Sequence, residues 1–293
     1  MPELPEVEII RRNLIPVMKN MRLSEIRLNR RNLRFYFPDN FTSAVRGRKI
    51  LNVSRRAKYL IFELERDLSI ITHLGMSGSF LLENDRTMIP SIQRIKNPRH
   101  DHVIIFLEND SKTQQYCIIY NDPRRFGFMD LFTTSLIEQY PPFIQLGPEP
   151  TDSTFNTTYL THQFYKRTGN LKGALLDQKL VAGLGNIYAC EALWRARLSP
   201  IRKTKSLVQE SSIENIKLSH LIQAIRNVLA DAINAGGSSL RDYVHINGST
   251  GGFQHSFAVY GRTGESCPSY CGQTIRHIVQ SGRSTFYCAY CQE

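Results

Sequence analysis

Four cysteines near the C-terminus have the spacing of a metal site. Cys267-Pro-Ser-Tyr-Cys271 and Cys288-Ala-Tyr-Cys291 form two close pairs, with sixteen residues between them. Two such knuckles suit one tetrahedral Zn2+ in a ribbon-like hairpin. A closed four-sulfur site has no open coordination position, so the role predicted for the ion is structural. Between the pairs lie Arg276, His277, Arg283 and Ser284. A rigid hairpin that presents arginines is suited to gripping phosphates. Cys117 and Cys190 sit in the apolar runs QQYCIIY and NIYACEAL and read as buried structural thiols.

The opposite end of the chain offers a nucleophile. Removal of Met1 would leave Pro2 with a secondary α-amine, followed by Glu3, Glu6 and Glu8. An α-amino group titrates near ~7.7–8.0, so part of it is neutral near neutral pH. Such an amine can attack a sugar anomeric carbon and form an iminium, while a nearby carboxylate moves protons. Taken alone, the same letters also describe an ordinary helix start, because acids favour the first turn.

Three interior motifs admit two readings each. In SRRAKYLIFEL, Lys58 by itself reads as an exposed strand lysine. In HLGMSGS, Gly75 and Gly78 flank Met76, which could be a wedge in a base stack or a side chain turned back into the core. In DPRRFGF, Arg124 and Phe126 alternate about Arg125 and so share a face. That pairing suits phosphate contact and base stacking, or a turn with a packed Phe. Further on, Gly183 and Gly185 precede Asn186 at a helix start, among many basic residues. A helix N-terminus of this kind can take a phosphate, or two helices can pack there with a solvated basic face.

The rest of the chain must position these residues. It has 293 residues with a formal charge of +11, 41% hydrophobic and 22% charged. That length predicts two domains, and that charge predicts a polyanionic partner, nucleic acid before membrane. No apolar run approaches a membrane span, and the start lacks the pattern of a signal peptide, so a cytoplasmic setting is expected. Residues 5–18 read as a short helix with Pro5 in its first turn. Residues 22–132 read as strands of an antiparallel sandwich or barrel, with 85–99 as a loop. YPPFIQLGPEP (140–150) reads as a linker. A helix is predicted over about 212–235, with a Ser211/Glu214 capping box and Gly236 as C-cap.

Together these motifs resemble the bacterial formamidopyrimidine-DNA glycosylases, in one order from PELPEVE to TFYCAYCQ. The resemblance implies an α+β fold. It places an N-terminal catalytic two-sheet antiparallel β-sandwich with flanking helices over 1–135 and a linker over 136–150. A helical helix-two-turn-helix domain follows over 151–253, then a zinc hairpin over 254–293. It implies excision of oxidised purines, 8-oxoguanine and formamidopyrimidines, from duplex DNA, then strand cleavage by β- and δ-elimination in base excision repair.

By the same resemblance Pro2 is the Schiff-base nucleophile and Glu3 the acid–base group. Lys58 assists elimination, Arg283 contacts phosphates and takes part in δ-elimination, and Glu6 lies in the pocket. Met76, Arg124 and Phe126 fill the void left by a flipped base. His100, Arg167, Lys172 and Asn186 contact DNA, and 236–257 matches a loop that closes over that base. Cys267, Cys271, Cys288 and Cys291 hold one structural zinc ion. The implied partner is double-stranded DNA, met by a monomer in the bacterial cytoplasm at the nucleoid, with no membrane role. The first knuckle departs from the family's usual two-residue spacing by one residue, which bears on its local turn and on the aim of Arg283.

The alternatives are an endonuclease VIII-like glycosylase for oxidised pyrimidines and a non-catalytic DNA-binding scaffold. Leu4 and the Arg–Phe pair of DPRRFG favour the purine reading over the first. Intact Pro2, Glu3 and Lys58 argue against the second. A zinc-ribbon RNA-binding protein leaves the opening residues unexplained.

Overall fold

The structure, a computed structural model, describes residues 2–83, 96–208, 212–238 and 250–293, with the backbone alone over 212–215. It divides into two units, residues 1–144 with 235–252, and residues 145–234 with 253–293.

The first unit begins with α1 (Leu4–Met18). Glu3 caps it: the Glu6 side chain accepts the Glu3 N–H at 2.9 Å, in a capping box that leaves fewer orphan donors at the helix start. Pro5 sits in the first turn, where a missing N–H costs nothing. Val7, Ile10, Leu14 and Met18 recur at helical spacing and are all buried in the main core of this unit. Each contributes roughly 1.5–3 kcal/mol by leaving water.

Then follow β1 (Arg22–Leu28), α2 (Phe41–Val45), β2 (Ile50–Arg56), β3 (Tyr59–Leu64), β4 (Leu68–His73), β5 (Ser79–Glu83), β6 (Asp101–Glu108), β7 (Gln115–Asn121), β8 (Phe128–Thr133) and α3 (Pro141–Ile144). They make two antiparallel four-stranded sheets, β1-β6-β7-β5 and β2-β3-β4-β8. The sheets share one core, in which Phe62 of β3 meets Phe80 of β5 edge-on at 5.9 Å. The expected fold is therefore a sandwich. In β6 the period of two is visible inside a continuous apolar run: Val103, Ile105 and Leu107 enter the main core, while Ile104 and Phe106 join Leu81, Cys117 and Ile119 in an outer cluster.

Three apolar runs are each two strands. Residues 50–64 turn at Ala57-Lys58, where Ala57 takes a left-handed φ of +52°. Residues 68–83 and 115–133 each cross from one sheet to the other, through 74–78 and 122–127. The proline-rich stretch also differs from a plain linker. Its start is α3, and Phe143 is buried there against Tyr59 and Tyr140 at 5.2 and 5.1 Å.

The second unit holds α4 (Thr157–Tyr165), α5 (Leu171–Leu176), α6 (Asn186–Arg195), α7 (Ser212–Asn234), β9 (Arg276–Gln280) and β10 (Arg283–Tyr287). Asn156 and Asn170 cap α4 and α5 by accepting the N–H groups of Tyr159 and Gly173, at 2.9 and 2.7 Å. Leu218, Leu221, Ile222, Ile225 and Leu229 of α7 pack with Tyr188, Ala189, Ala192 and Leu193 of α6. β9 and β10 pair as a hairpin. The capping box at Ser211/Glu214, most of the 85–99 loop and 239–249 of the expected closing loop lie outside the described residues. Among the described residues no helix is long and apolar enough to cross a membrane.

Candidate functional site

In the first unit, the cap of α1 buries Pro2, Glu3 and Glu6 together, with Glu3 at 3% and Glu6 at 2% exposure. One oxygen of Glu6 accepts the Glu3 N–H at 2.9 Å. The other accepts both the N–H and the hydroxyl of Ser238, at 2.9 and 3.1 Å. Glu6 thus ties the start of α1 to residues 235–238. The base of that segment closes on itself where the Gly252 N–H donates to the Ala235 carbonyl at 2.8 Å.

Glu8, one turn on, faces three arginines. Its carboxylate accepts hydrogen bonds from Arg11 at 2.7 Å, Arg12 at 2.9 Å and Arg55 at 3.1 Å. Burial alone would raise its pKa, but these three partners outweigh it and hold the carboxyl at about 2. Arg55 also donates to the Ala57 carbonyl at 2.9 Å. A chain of contacts therefore runs from α1 through Glu8 and Arg55 to the left-handed turn that carries Lys58. Lys58 is only 6% exposed, which corrects its reading as an exposed strand lysine. Burial, together with the charges of Lys58 and Arg34, pushes His73 down to about 4. Neutral His73 accepts the Gly75 N–H at its Nδ1, at 3.0 Å, and stacks on Phe128.

Met76 and Phe126 stand out at 37% and 43% exposure, so neither is tucked into the core. The Arg124 guanidinium lies 4.7 Å above the Phe126 ring. Gly75, at a φ of +61°, lets the two crossovers touch: a Cβ there would sit 2.3 Å from the Phe126 carbonyl carbon. His100 ends a short turn just before β6, and its carbonyl accepts the Asp122 N–H at 2.9 Å.

In the second unit, all four cysteine sulfurs lie within 4.8 Å of one another. Cys267 and Cys291 are 3.8 Å apart, and Cys271 and Cys288 3.6 Å. Tetrahedral coordination at a Zn–S distance of ~2.3 Å requires sulfurs ~3.8 Å apart. The donor set therefore fits one structural zinc ion, held by Cys267, Cys271, Cys288 and Cys291. The extra knuckle residue is absorbed at Tyr270, which takes a φ of +55° and leaves its side chain 96% exposed. Arg283 is exposed and follows the Ser281-Gly282 turn at the other end of the hairpin from Cys288.

The residues expected to contact DNA from this unit are placed unequally. Lys172 is fully buried, in contrast to an exposed phosphate ligand. Its ammonium donates to the Ser284 carbonyl at 2.8 Å and to the Thr285 hydroxyl at 2.7 Å. Asn186, at the N-terminus of α6, donates to the same Ser284 carbonyl at 2.9 Å. Arg167 pairs with Asp177 at 2.8 Å.

Sequence reasoning missed Glu191 and Asp122. Glu191, fully buried on α6, accepts the N–H groups of Ala258, Val259 and Tyr260 at 2.8, 3.0 and 2.8 Å, and so fixes the approach to the zinc module. A lone Glu in an apolar helix was its one signal. Asp122 was hidden because Asp before Pro is an ordinary turn opening.

Comparison with known proteins agrees with this geometry. Family models for the formamidopyrimidine-DNA glycosylase N-terminal domain and H2TH domain match residues 1–129 and 146–244. The zinc finger found in FPG and IleRS matches residues 264–293. The chain is 49% identical to the formamidopyrimidine-DNA glycosylase of Agrobacterium fabrum, over the whole of both chains. It resembles the crystal structure of the MutM (Fpg) protein from Thermus thermophilus, with a TM-score of 0.82 and 38% identity over 99% of this chain and 98% of that one. It is also similar to a Lactococcus lactis Fpg variant in complex with Fapy-dG-containing DNA, with a TM-score of 0.84 and 35% identity over all of both chains.

Proposed function

The chain belongs to the formamidopyrimidine-DNA glycosylase family, and from that premise we propose how its own residues carry the reaction. It is a DNA-formamidopyrimidine glycosylase of base excision repair that binds damaged DNA. In the finer reading it excises 8-oxoguanine and formamidopyrimidines from duplex DNA and then acts as a lyase. The observation that carries this reading is the burial of Pro2 and Glu3 together at the cap of α1.

With Met1 removed, the Pro2 nitrogen attacks the anomeric carbon of the damaged nucleotide. The glycosidic bond breaks and the base leaves with a proton from an acid group. The sugar ring opens to an iminium on Pro2. That iminium acidifies the neighbouring C–H, and loss of its proton expels the 3′ phosphate. A second elimination expels the 5′ phosphate and leaves a one-nucleotide gap. Glu3 exchanges protons with the sugar, and the positive end of the α1 dipole favours the neutral amine of Pro2. Lys58 assists the eliminations. Glu6 holds the cap in place.

Met76, Arg124 and Phe126 occupy the gap in the stack and face the orphaned cytosine. Arg283 and the N-terminus of α6 at Asn186 take backbone phosphates. His100 and Arg167 add phosphate contacts, Arg167 by exchanging Asp177 for phosphate. Lys172 acts from beneath by fixing the hairpin backbone beside Arg283. Zinc, when bound, supplies cross-linking of the hairpin and no chemistry. The chain works as a monomer in the bacterial cytoplasm.

Borohydride trapping tests this reading on a duplex with one 8-oxoguanine opposite cytosine, with mass spectrometry of the adduct. An adduct on Pro2 is expected, and one on any other residue overturns the assignment. Trapping only on an oxidised-pyrimidine duplex would instead identify an endonuclease VIII-like specificity.

A further inference from the structure

Asp122 belongs to none of the roles above, yet it touches both crossover loops. It is fully buried. One carboxylate oxygen accepts the Ser77 hydroxyl at 2.5 Å. The other accepts the Gly127 N–H at 2.9 Å and the Tyr120 hydroxyl at 3.3 Å. The Ser77 oxygen in turn accepts the Arg124 N–H at 3.1 Å. The backbone of Asp122 extends the web. Its carbonyl accepts the Arg125 N–H at 3.2 Å and lies 2.9 Å from His102 Nε2, while its N–H donates to His100.

We propose that Asp122 is the positioning residue that locks the Met76 turn and the Arg124–Phe126 loop into one preformed wedge. This rests on the reading that Met76, Arg124 and Phe126 fill the stack. Three observations converge on it. First, the two loops belong to different chain crossovers, and the bond from Ser77 to Asp122 joins them beside Met76 itself. Second, Arg125 is held at a φ of +58°, a conformation that a non-glycine residue adopts only when its surroundings enforce it. The Arg125 N–H is bonded back to the Asp122 carbonyl at 3.2 Å, so this turn closes directly on the residue whose side chain is anchored to Ser77 and Gly127. Third, no space remains for the loops to slide. A Cβ on Gly127 would sit 1.8 Å from the Tyr120 hydroxyl oxygen and 2.7 Å from the His73 carbonyl.

The carboxylate suits the task because every group it collects is a donor. A neutral amide of the same shape has one acceptor oxygen and would turn its NH2 group toward Ser77 or Gly127. A preformed wedge enters the stack without first paying the entropy of ordering two loops. Loss of Asp122 or Ser77 therefore slows opening of the base pair and spares the chemistry that follows.

The test compares Ser77→Ala, Asp122→Asn and Met76→Ala with the wild-type chain. Circular-dichroism melting checks that each variant folds. The first readout is single-turnover excision from an 8-oxoguanine·cytosine duplex, beside cleavage of a duplex with a preformed abasic site. The second is the fluorescence rise of a 2-aminopurine placed next to the lesion, which reports unstacking.

Expected for Ser77→Ala and Asp122→Asn is a loss of about tenfold in excision and in the fluorescence rate, with abasic-site cleavage within about twofold of wild type. Each should add little once Met76→Ala is present, because residues acting as one unit are not additive. If Met76→Ala slows opening and neither Ser77→Ala nor Asp122→Asn does, the positioning role is overturned and the wedge reading stands. If Met76→Ala leaves opening unchanged, the wedge reading fails and takes this proposal with it. Equal losses on both substrates would show a general structural role and also overturn it. Should Asp122→Asn fail to fold, Ser77→Ala decides alone.

Discussion

Asp122 collects N–H and O–H groups from two crossover loops of the first unit, whereas Lys172 gives its protons to carbonyl and hydroxyl oxygens of a β-hairpin in the second. Both charges are fully buried and both act on backbone next to an exposed side chain of the proposed interface. The surroundings differ. Each loop around Asp122 is pinned at its two ends by strands of opposite sheets, over a large shared core. The hairpin around Lys172 rests on a small cluster of Cys190, Val259, Ile275 and the four zinc-site cysteines. A core of that size needs a metal to hold it. A loop strung between sheets needs only its polar groups satisfied. The same task, aiming one side chain, is thus met by hydrogen bonds where the core is large and by an ion where it is small.

The largest effect that can break this comparison is metal removal. Structural zinc contributes about 10–16 kcal/mol to the folding of isolated finger peptides. Stripping the ion with a chelator is expected to unfold the hairpin and to abolish tight, salt-sensitive DNA binding, while the first unit keeps its strand signal and its melting transition. The chain has a single tryptophan, and Trp194 packs on the zinc cluster. Its emission should therefore follow the metal while tyrosine signals from the sandwich hold steady. Joint loss of both signals would show that the first unit also depends on the ion.

Acid sharpens the comparison from the other side, because the first unit has a titrating group of its own, His73, in addition to the protons that any thiolate zinc site takes up. His73 has its pKa lowered from 6.5 to about 4, so between those values the unfolded chain binds a proton that the folded chain refuses. Stability is then fully present above pH 6.5 and falls as the pH drops toward 4, by up to roughly 3 kcal/mol. Glu8 continues the trend, since its pKa falls from 4.5 to about 2 and its contribution is lost across that lower window. Denaturant melts between pH 7 and pH 4.5, followed through the strand signal of the first unit, should show the first decline. His73→Asn keeps an acceptor near the Nδ1 position and should flatten it. An unchanged slope in that variant would remove His73 from the account.

How much of this was legible in the letters depended on distance along the chain. The zinc knuckles, α1 and the glycine entry to α6 are local, and spacing alone disclosed them. The sandwich was legible as apolar runs broken by turn motifs, but not which sheet each strand joins. Ala57 and Arg125 turn the chain without glycine, and the neighbours that hold them, Arg55 and Asp122, are themselves anchored by distant partners, Glu8 and Ser77. Lys58 read as exposed for that reason. Lys172 read as a phosphate ligand because no local pattern shows that its partners lie at Ser284 and Thr285, more than a hundred residues on. Types and motifs of the site residues were in the sequence, while the buried charges that aim them depend on contacts made only by the fold.

The smallest expected effect concerns the extra residue in the first knuckle. Tyr270 adopts a φ of +55° with its side chain almost wholly in water, so it carries the cost of a left-handed backbone and gains no packing in return. Tyr270→Gly relieves that cost, about 1–2 kcal/mol, and returns roughly half of it through the greater freedom of glycine in the unfolded chain. The net stabilisation is therefore within about 1 kcal/mol, a rise in zinc affinity of less than about tenfold. Arg283, paired with Gln280, lies at the far end of the strand pairing that begins at Arg276 and Tyr287, so its phosphate contact should not change. Competition with a chelating dye measures the first quantity, and the salt slope of DNA binding measures the second. A shift in that slope would mean that the knuckle and the hairpin tip move together, and that zinc sets the aim of Arg283 as well as the fold around it.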